Sequence, residues 1–306
     1  MCLLILTYGS DLVKVKGKKT KLYSGRRTYI MEDGMKIALG QLDMVWEDKD
    51  ATLTKVEQMM ATASQAGADL ILFPEMTLTG FSTNLDRIGE LPDDSWSVNQ
   101  MRRLAVKYKL AAGFGWGALP EYAGGKGTNR FTLVSGTGAV LAEYKKLHPF
   151  RYGGEADVFE GGDRIVTVPF QGRTLGLFVC YDLRFPEIFQ IASKRADVLL
   201  VIANWPSSRR DHWMTLLRAR AIENQAYVAG VNCTGVRDGL EYSGDSMAVD
   251  ALGNVLGILS WQEGVLLCEI DDRAWHLREK FQAKKDRREE LYLSGYTNKD
   301  EVEFHG

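Results

Sequence analysis

The chain has 306 residues, 45% hydrophobic and 25% charged, with a formal net charge of −2. That composition belongs to an ordinary globular protein and excludes a disordered chain, a collagen or a coiled coil. The near-balanced charge argues against nucleic acid as the main partner, and the longest apolar runs, Leu70–Phe73 and Val198–Ala203, are strand-sized, so no membrane span is expected. Four cysteines, Cys2, Cys180, Cys233 and Cys268, form no CxxC pair. They read as free thiols of a reducing compartment, which predicts a cytoplasmic protein.

Residues 1–34 carry seven basic and three acidic side chains and little to bury. They read as a basic extension, disordered or a misassigned start. From Met35 the pattern alternates between strands and helices. A strand at 36–43 precedes a helix over 51–66, with Leu53, Val56, Met59, Met60 and Ala63 at helical spacing. Gly67 stops that helix. The apolar run DLILFPE, 69–75, is the next strand. A helix at 97–109 and strands at 110–117, 130–135 and 139–145 follow, the last two joined by the hairpin signal SGTG. After Pro149 comes the loop RYGGEADVFEGGD. Strands at 164–169 and 174–180, a helix at 185–195, the strand DVLLVIANW and a helix at 209–224 come next. Strands at 226–233, 245–250, 254–259 and 264–270 and a short helix near 272–281 complete the pattern. No linker or repeat divides it, so 35–285 reads as one domain and 286–306 as a charged C-terminal tail. Hairpins mixed with β–α units predict two packed sheets with helices outside, rather than one parallel sheet.

Three strands end in a residue able to carry chemistry. Glu75 ends DLILFPE, Lys146 ends VLAEYKK, and Cys180 ends TLGLFVC and runs at once into YDLRFPE and a helix. The last step has the strand–turn–helix form of a nucleophile elbow, which exposes the thiol and aims backbone N–H groups at an anion. Each residue alone has an ordinary reading: a packed cysteine, a turn carboxylate, a solvated lysine. Together they are complementary. A thiol needs help to act near neutrality, a nearby carboxylate can take its proton, and an ammonium favours the thiolate and later the oxyanion. The glycine-rich stretches GFGWG, 113–117, and GGKGT, 124–128, lack phosphate-loop spacing and read as turns. No Cys/His cluster has metal-ligand spacing, so neither a metal nor a cofactor is expected. Cys233 and Cys268 read as core.

The segments FPEM, YKKLH and CYDLRFPE resemble the three signature segments of the nitrilase superfamily of carbon–nitrogen hydrolases, in the same order and 71 and 34 residues apart. ANWP at 203–206 and RARAIENQAYV at 218–228 extend the resemblance over roughly 36–285. CYDLRFP, ANWP and RARAIENQAYVAG are most similar to the bacterial type of omega-amidase, which hydrolyses the terminal amide of 2-oxoglutaramate or 2-oxosuccinamate. The resemblance implies an α/β fold, a four-layer α-β-β-α sandwich with two packed mixed sheets and outer helices. It implies Cys180 as nucleophile, Glu75 as general base, Lys146 as the cation beside the oxyanion and Glu155 as a second glutamate; the elbow reading adds the backbone N–H of Tyr181 as a second oxyanion donor. Asn204 and Trp205 are candidates for the pocket wall. Arg184 would meet a substrate carboxylate or tie down the elbow through an acidic neighbour, and His148 would support the lysine loop. The expected partners are water, a small amide bearing a carboxylate, and a second copy of the chain in a homodimer or larger homo-oligomer. An N-carbamoyl amino-acid hydrolase would show two arginines where Leu183 and Arg184 stand, and a nitrile-cleaving relative a CWE segment where Tyr181 and Asp182 follow the cysteine. A non-catalytic binding protein on the same scaffold is the alternative of another class, disfavoured by the intact Glu75, Lys146 and Cys180.

Overall fold

The computed structural model describes residues 2–5 and 34–297. The basic run of the N-terminal extension and the end of the tail lie outside the described residues. The first half of the chain supplies β1 (Cys2–Ile5), β2 (Met35–Gln41), α1 (Lys49–Gln65), β3 (Leu70–Leu72), α2 (Leu85–Ile88), α3 (Trp96–Tyr108), β4 (Ala111–Ala118), β5 (Gly127–Val134) and β6 (Val140–Lys145). Then come α4 (Glu155–Val158), β7 (Phe159–Glu160), β8 (Thr167–Phe170), β9 (Arg173–Val179), α5 (Pro186–Ala192), β10 (Val198–Ala203), α6 (Arg210–Asn224) and β11 (Tyr227–Asn232). Strands β12 (Thr234–Arg237), β13 (Leu240–Val249), β14 (Val255–Ser260) and β15 (Gly264–Ile270) and helices α7 (Arg273–Lys280) and α8 (Glu289–Thr297) follow.

Two mixed sheets result. One runs β1-β15-β2-β3-β4-β5-β6, with β7 beside β5; the other runs β12-β13-β11-β10-β9-β8, with β14 beside β13. The central strands β2, β3, β9 and β10 are apolar and buried almost throughout because both sheet faces are covered there. In β2, Ile37 and Leu39 pack against Leu175, Leu177, Leu200 and Val231 of the other sheet, while Ala38 turns to the outer layer of Val56, Met60, Met101 and Leu104 on α1 and α3. The second sheet repeats the division, with Phe178, Leu199 and Val201 facing Phe189, Trp213 and Leu217 of α5 and α6. The expected four-layer α-β-β-α sandwich is the fold found. Each fully buried Leu or Ile contributes about 1.5–3 kcal/mol. α1 starts where its sequence allows: the Asp48 carboxylate accepts the Ala51 N–H at 2.9 Å.

Several details correct the sequence reading. GFGWG is no turn but the interior of β4, and its Gly115 is required: a Cβ there would sit 2.5 Å from the Met76 nitrogen and 2.8 Å from the Glu75 Cα. β12 and the first half of β13 form a hairpin around Asp238 and Gly239 that the strand list omitted, although an Asp-Gly pair is a strong hairpin signal. Within the charged tail, α8 docks on α5, with the Tyr296 hydroxyl donating to Glu187 at 2.9 Å and Lys194 paired to Glu289 at 2.6 Å. β1, inside the stretch read as disordered, pairs antiparallel with β15. Cys268 is disulfide-bonded rather than a free thiol, whereas Cys180 and Cys233 are free. No helix among the described residues is long and apolar enough to cross a membrane.

Candidate active site

The parallel strands of both sheets point their carboxyl ends at one crevice. β3 runs parallel to β2 and β4 and leads through Phe73 and Pro74 to Glu75. β9 and β10 run parallel and lead to Cys180 and Asn204. The close approach of Gly115 to the backbone at Glu75 brings the carboxylate inward, and the Thr77 N–H donates to the Gly115 carbonyl at 2.9 Å to hold it there. Cys180 follows β9 with φ of 47°, a left-handed conformation that non-glycine residues adopt at a cost. It opens a 3-10 turn, Cys180–Arg184, in whose first turn backbone N–H groups, that of Tyr181 among them, lack intrahelical partners. Asp182 fixes this elbow. Its Oδ2 accepts the Val179 N–H at 3.0 Å and the Tyr144 hydroxyl at 2.7 Å, and its Oδ1 accepts the His148 N–H at 3.1 Å and lies 2.8 Å from His148 Nδ1. The carboxylate thus ties the nucleophile turn to the strand and loop that carry Lys146, and His148 supports that loop as expected.

Glu75 and Glu155 are 0% exposed and Lys146 1%. Lys146 Nζ lies 2.8 Å from Glu75 Oε1 and 3.0 and 2.8 Å from the two Glu155 oxygens. Asn129 Nδ2 donates to Glu75 Oε1 at 2.7 Å and to Glu155 Oε1 at 2.9 Å. The remaining oxygens are held by backbone: Glu75 Oε2 accepts the Asn204 N–H at 2.9 Å, and Glu155 Oε2 accepts the Phe150 N–H at 2.7 Å. Burial alone would lower the lysine's pKa; the Glu155 and Glu75 carboxylates outweigh it and hold the ammonium charged well above the ordinary lysine range. Cys180 goes the opposite way to the thiolate expected of a neighbouring lysine. Burial, reinforced by the Glu75 carboxylate, pushes the thiol well up, and Lys146 opposes this without prevailing. At Cys180, burial and the Glu75 carboxylate thus favour the neutral thiol, so attack by this sulfur would call for a base to take its proton. Lys146→Met would leave two buried carboxylates facing each other, and a stability loss of about 3–5 kcal/mol is expected in urea titrations.

Cys180, Glu75 and Lys146 line one cavity of about 170 Å³, together with Phe81, Phe150, Tyr181, Arg184, Asn204, Trp205, Arg209, Asp238 and Tyr242. Of the candidates read from the sequence, Glu75, Lys146, Cys180, Tyr181, Arg184, Asn204 and Trp205 line it, whereas Glu155, paired with Lys146, and His148 do not. Asn204 is less a wall than a link. Its Nδ2 donates to the Glu75 carbonyl at 2.5 Å, its carbonyl lies 3.8 Å from Cys180 Sγ, and its Oδ1 accepts from the Cys233 thiol at 3.1 Å. Trp205 is both core and wall, packed 5.7 Å from Trp213 and in place through Asn232, whose Oδ1 accepts the Trp205 N–H at 2.7 Å. Arg184 has no acidic partner among the described residues; its guanidinium lies 4.9 Å from the Trp205 ring and touches His212 at 3.1 Å. Asn129, Asp182, Asn232 and Arg209 were not singled out. Only Asp182, inside CYDLR, carried a sequence signal. A thiol beside a buried carboxylate, with an ammonium and turn N–H groups nearby, is equipped for acyl transfer through a thioester.

Residues 36–278 match the family described as carbon-nitrogen hydrolase. The chain is 38% identical to the protein named Omega-amidase YafV of Yersinia enterocolitica, over 72% of this chain and 83% of that one. It is 32% identical to the 2-oxoglutaramate amidase of Bacillus subtilis (strain 168), over 82% and 97%. Among solved structures it is similar to a CN-hydrolase superfamily protein of Xanthomonas campestris with an arsenic adduct in the active site: 31% identity, TM-score 0.77, covering 83% of this chain and 97% of that one.

Proposed function

The chain belongs to the carbon–nitrogen hydrolase family, and from that premise we propose that it is an omega-amidase, cleaving the terminal amide of 2-oxoglutaramate or 2-oxosuccinamate through a Cys180 thioester. The observation that carries the reading is the buried Glu75–Lys146–Glu155 cluster on the wall of the cavity that Cys180 lines. In the proposed cycle Glu75 takes the thiol proton as Sγ attacks the amide carbon. Lys146 and the Tyr181 N–H hold the oxyanion. Glu75 then passes the proton to the leaving ammonia. Water, deprotonated by Glu75 with Glu155 holding Lys146 in place, cleaves the thioester and frees the acid and the thiol. Arg184 serves the substrate carboxylate, with Asn204 and Trp205 shaping the pocket. The proposal assigns catalysis to residues 35–285, with 1–34 an extension and 286–306 a tail, and includes a cytoplasmic setting and a homodimer or larger homo-oligomer.

Two features favour this over an N-carbamoyl amino-acid hydrolase: the similarity to proteins named for omega-amide hydrolysis and Leu183, 0% exposed and packed into the core, where that activity would show an arginine. Ammonia release across a panel of both oxo-acid amides, glutamine, asparagine and carbamoyl amino acids tests it. The oxo-acid amides are expected to lead in kcat/KM by about tenfold or more, the scale on which a pocket separates close analogues. A lead by a carbamoyl amino acid would replace the reading.

A further inference from the structure

We propose that Arg209 is a second carboxylate-binding residue of this pocket, acting with Arg184 on the end of the substrate remote from Cys180; the inference rests on the omega-amidase reading. The sequence offers two adjacent arginines, Arg209 and Arg210, and the fold uses them differently. Arg210 is spent on structure: its Nε and Nη2 grip the buried Asp245 carboxylate at 2.6 and 2.8 Å. Arg209 lines the cavity instead and makes no ion pair with any described residue. Its guanidinium lies 5.6 Å from the centre of the Phe150 ring, as that of Arg184 lies 4.9 Å from the Trp205 ring. A guanidinium held over an aromatic ring, and not by an acid, keeps N–H donors available for a carboxylate.

Both arginines are positioned by the machinery they would serve. The Trp205 indole N–H donates to the Arg209 carbonyl at 2.8 Å, so the ring beneath Arg184 also anchors the backbone of Arg209. Phe150, beneath Arg209, gives its N–H to Glu155. The cavity is polarised as a result. Its buried end presents Cys180 beside Glu75 and Lys146 and suits a neutral amide. Its more exposed end presents two guanidinia against one carboxylate, Asp238, and suits a single negative charge. A substrate with an uncharged amide at one end and one carboxylate at the other fits in only one direction, with the scissile bond at the thiol.

The test is the ratio of kcat/KM for 2-oxoglutaramate to that for butyramide, an amide without a carboxylate. Measuring both substrates on the same preparation cancels any general damage. Arg209→Ala and Arg209→Gln are each expected to lower the ratio by about tenfold or more, through KM for 2-oxoglutaramate, and Arg209→Lys to restore part of it. A ratio equal to that of the unaltered enzyme in both variants overturns the inference alone. If the unaltered enzyme itself does not prefer 2-oxoglutaramate over butyramide, the omega-amidase reading falls and this inference with it.

Discussion

Cys180→Ala is expected to lower kcat by on the order of 10⁴-fold or more, the scale seen when the nucleophile of a cooperating catalytic set is removed, with the melting temperature unchanged within a few degrees. The fold asks little of this sulfur. Its hydrogen bonds are the 3.8 Å contact to the Asn204 carbonyl and one to the Glu75 side chain, and the strained turn is held by Asp182. Alanine also takes the left-handed conformation no worse than cysteine does. The proposed chemistry asks everything of it, because no second thiol among the described residues lines the cavity: Cys233 is 0% exposed, with its proton on Asn204 and its pKa pushed up to about 12 chiefly by burial. Ammonia release and thermal melts check the two halves of the expectation. Near-normal turnover in a folded variant would end the thioester proposal.

Glu75→Gln is expected to lower kcat by about 10²–10⁴-fold, the range of a general acid–base group, and to abolish any pre-steady-state burst of ammonia. Since the resting thiol is neutral, acylation cannot begin without a base, and the same carboxylate is asked to activate water afterwards. Both half-reactions therefore slow together. The variant should also lose about 1–3 kcal/mol of stability, the cost of one mismatched buried polar group. Both Glu75 oxygens accept: Oε1 from Lys146 and Asn129, Oε2 from the Asn204 backbone. A glutamine must turn its NH₂ toward one of those donors. Rapid-quench measurement of the first turnover is the check; a full burst would place the base elsewhere.

The candidate trio was legible because each member ends a strand pattern, and two of them stand beside turn-forming residues, in Phe-Pro-Glu and Cys-Tyr-Asp. The layers were legible because buried strands and amphipathic helices have different periods. The residues that hold the trio in place were not. Asn129 sits inside β5 and Asn232 at the end of β11 with nothing local to mark them; their partners lie 54 and 27 residues away. Asp238 is a different case, since the Asp-Gly turn that brings it to the cavity was written in the sequence and passed over. The direction of the thiol shift could not be read at all. A neighbouring ammonium argues for a thiolate, and it is enclosure together with the Glu75 carboxylate that outweighs it.

The Lys146 ammonium held between two carboxylates gives the enclosed cluster an excess of one electron charge, and in the proposed cycle that tally never changes. When the proton passes to Glu75, the charge it leaves behind reappears on the tetrahedral oxygen; when the oxygen collapses back to a carbonyl, the proton departs with ammonia and the carboxylate regains its charge. Every step is isocoulombic. The electrostatic cost of the sealed interior is met once, as the polypeptide folds, and turnover then proceeds without recruiting counterions or reorganising bulk water.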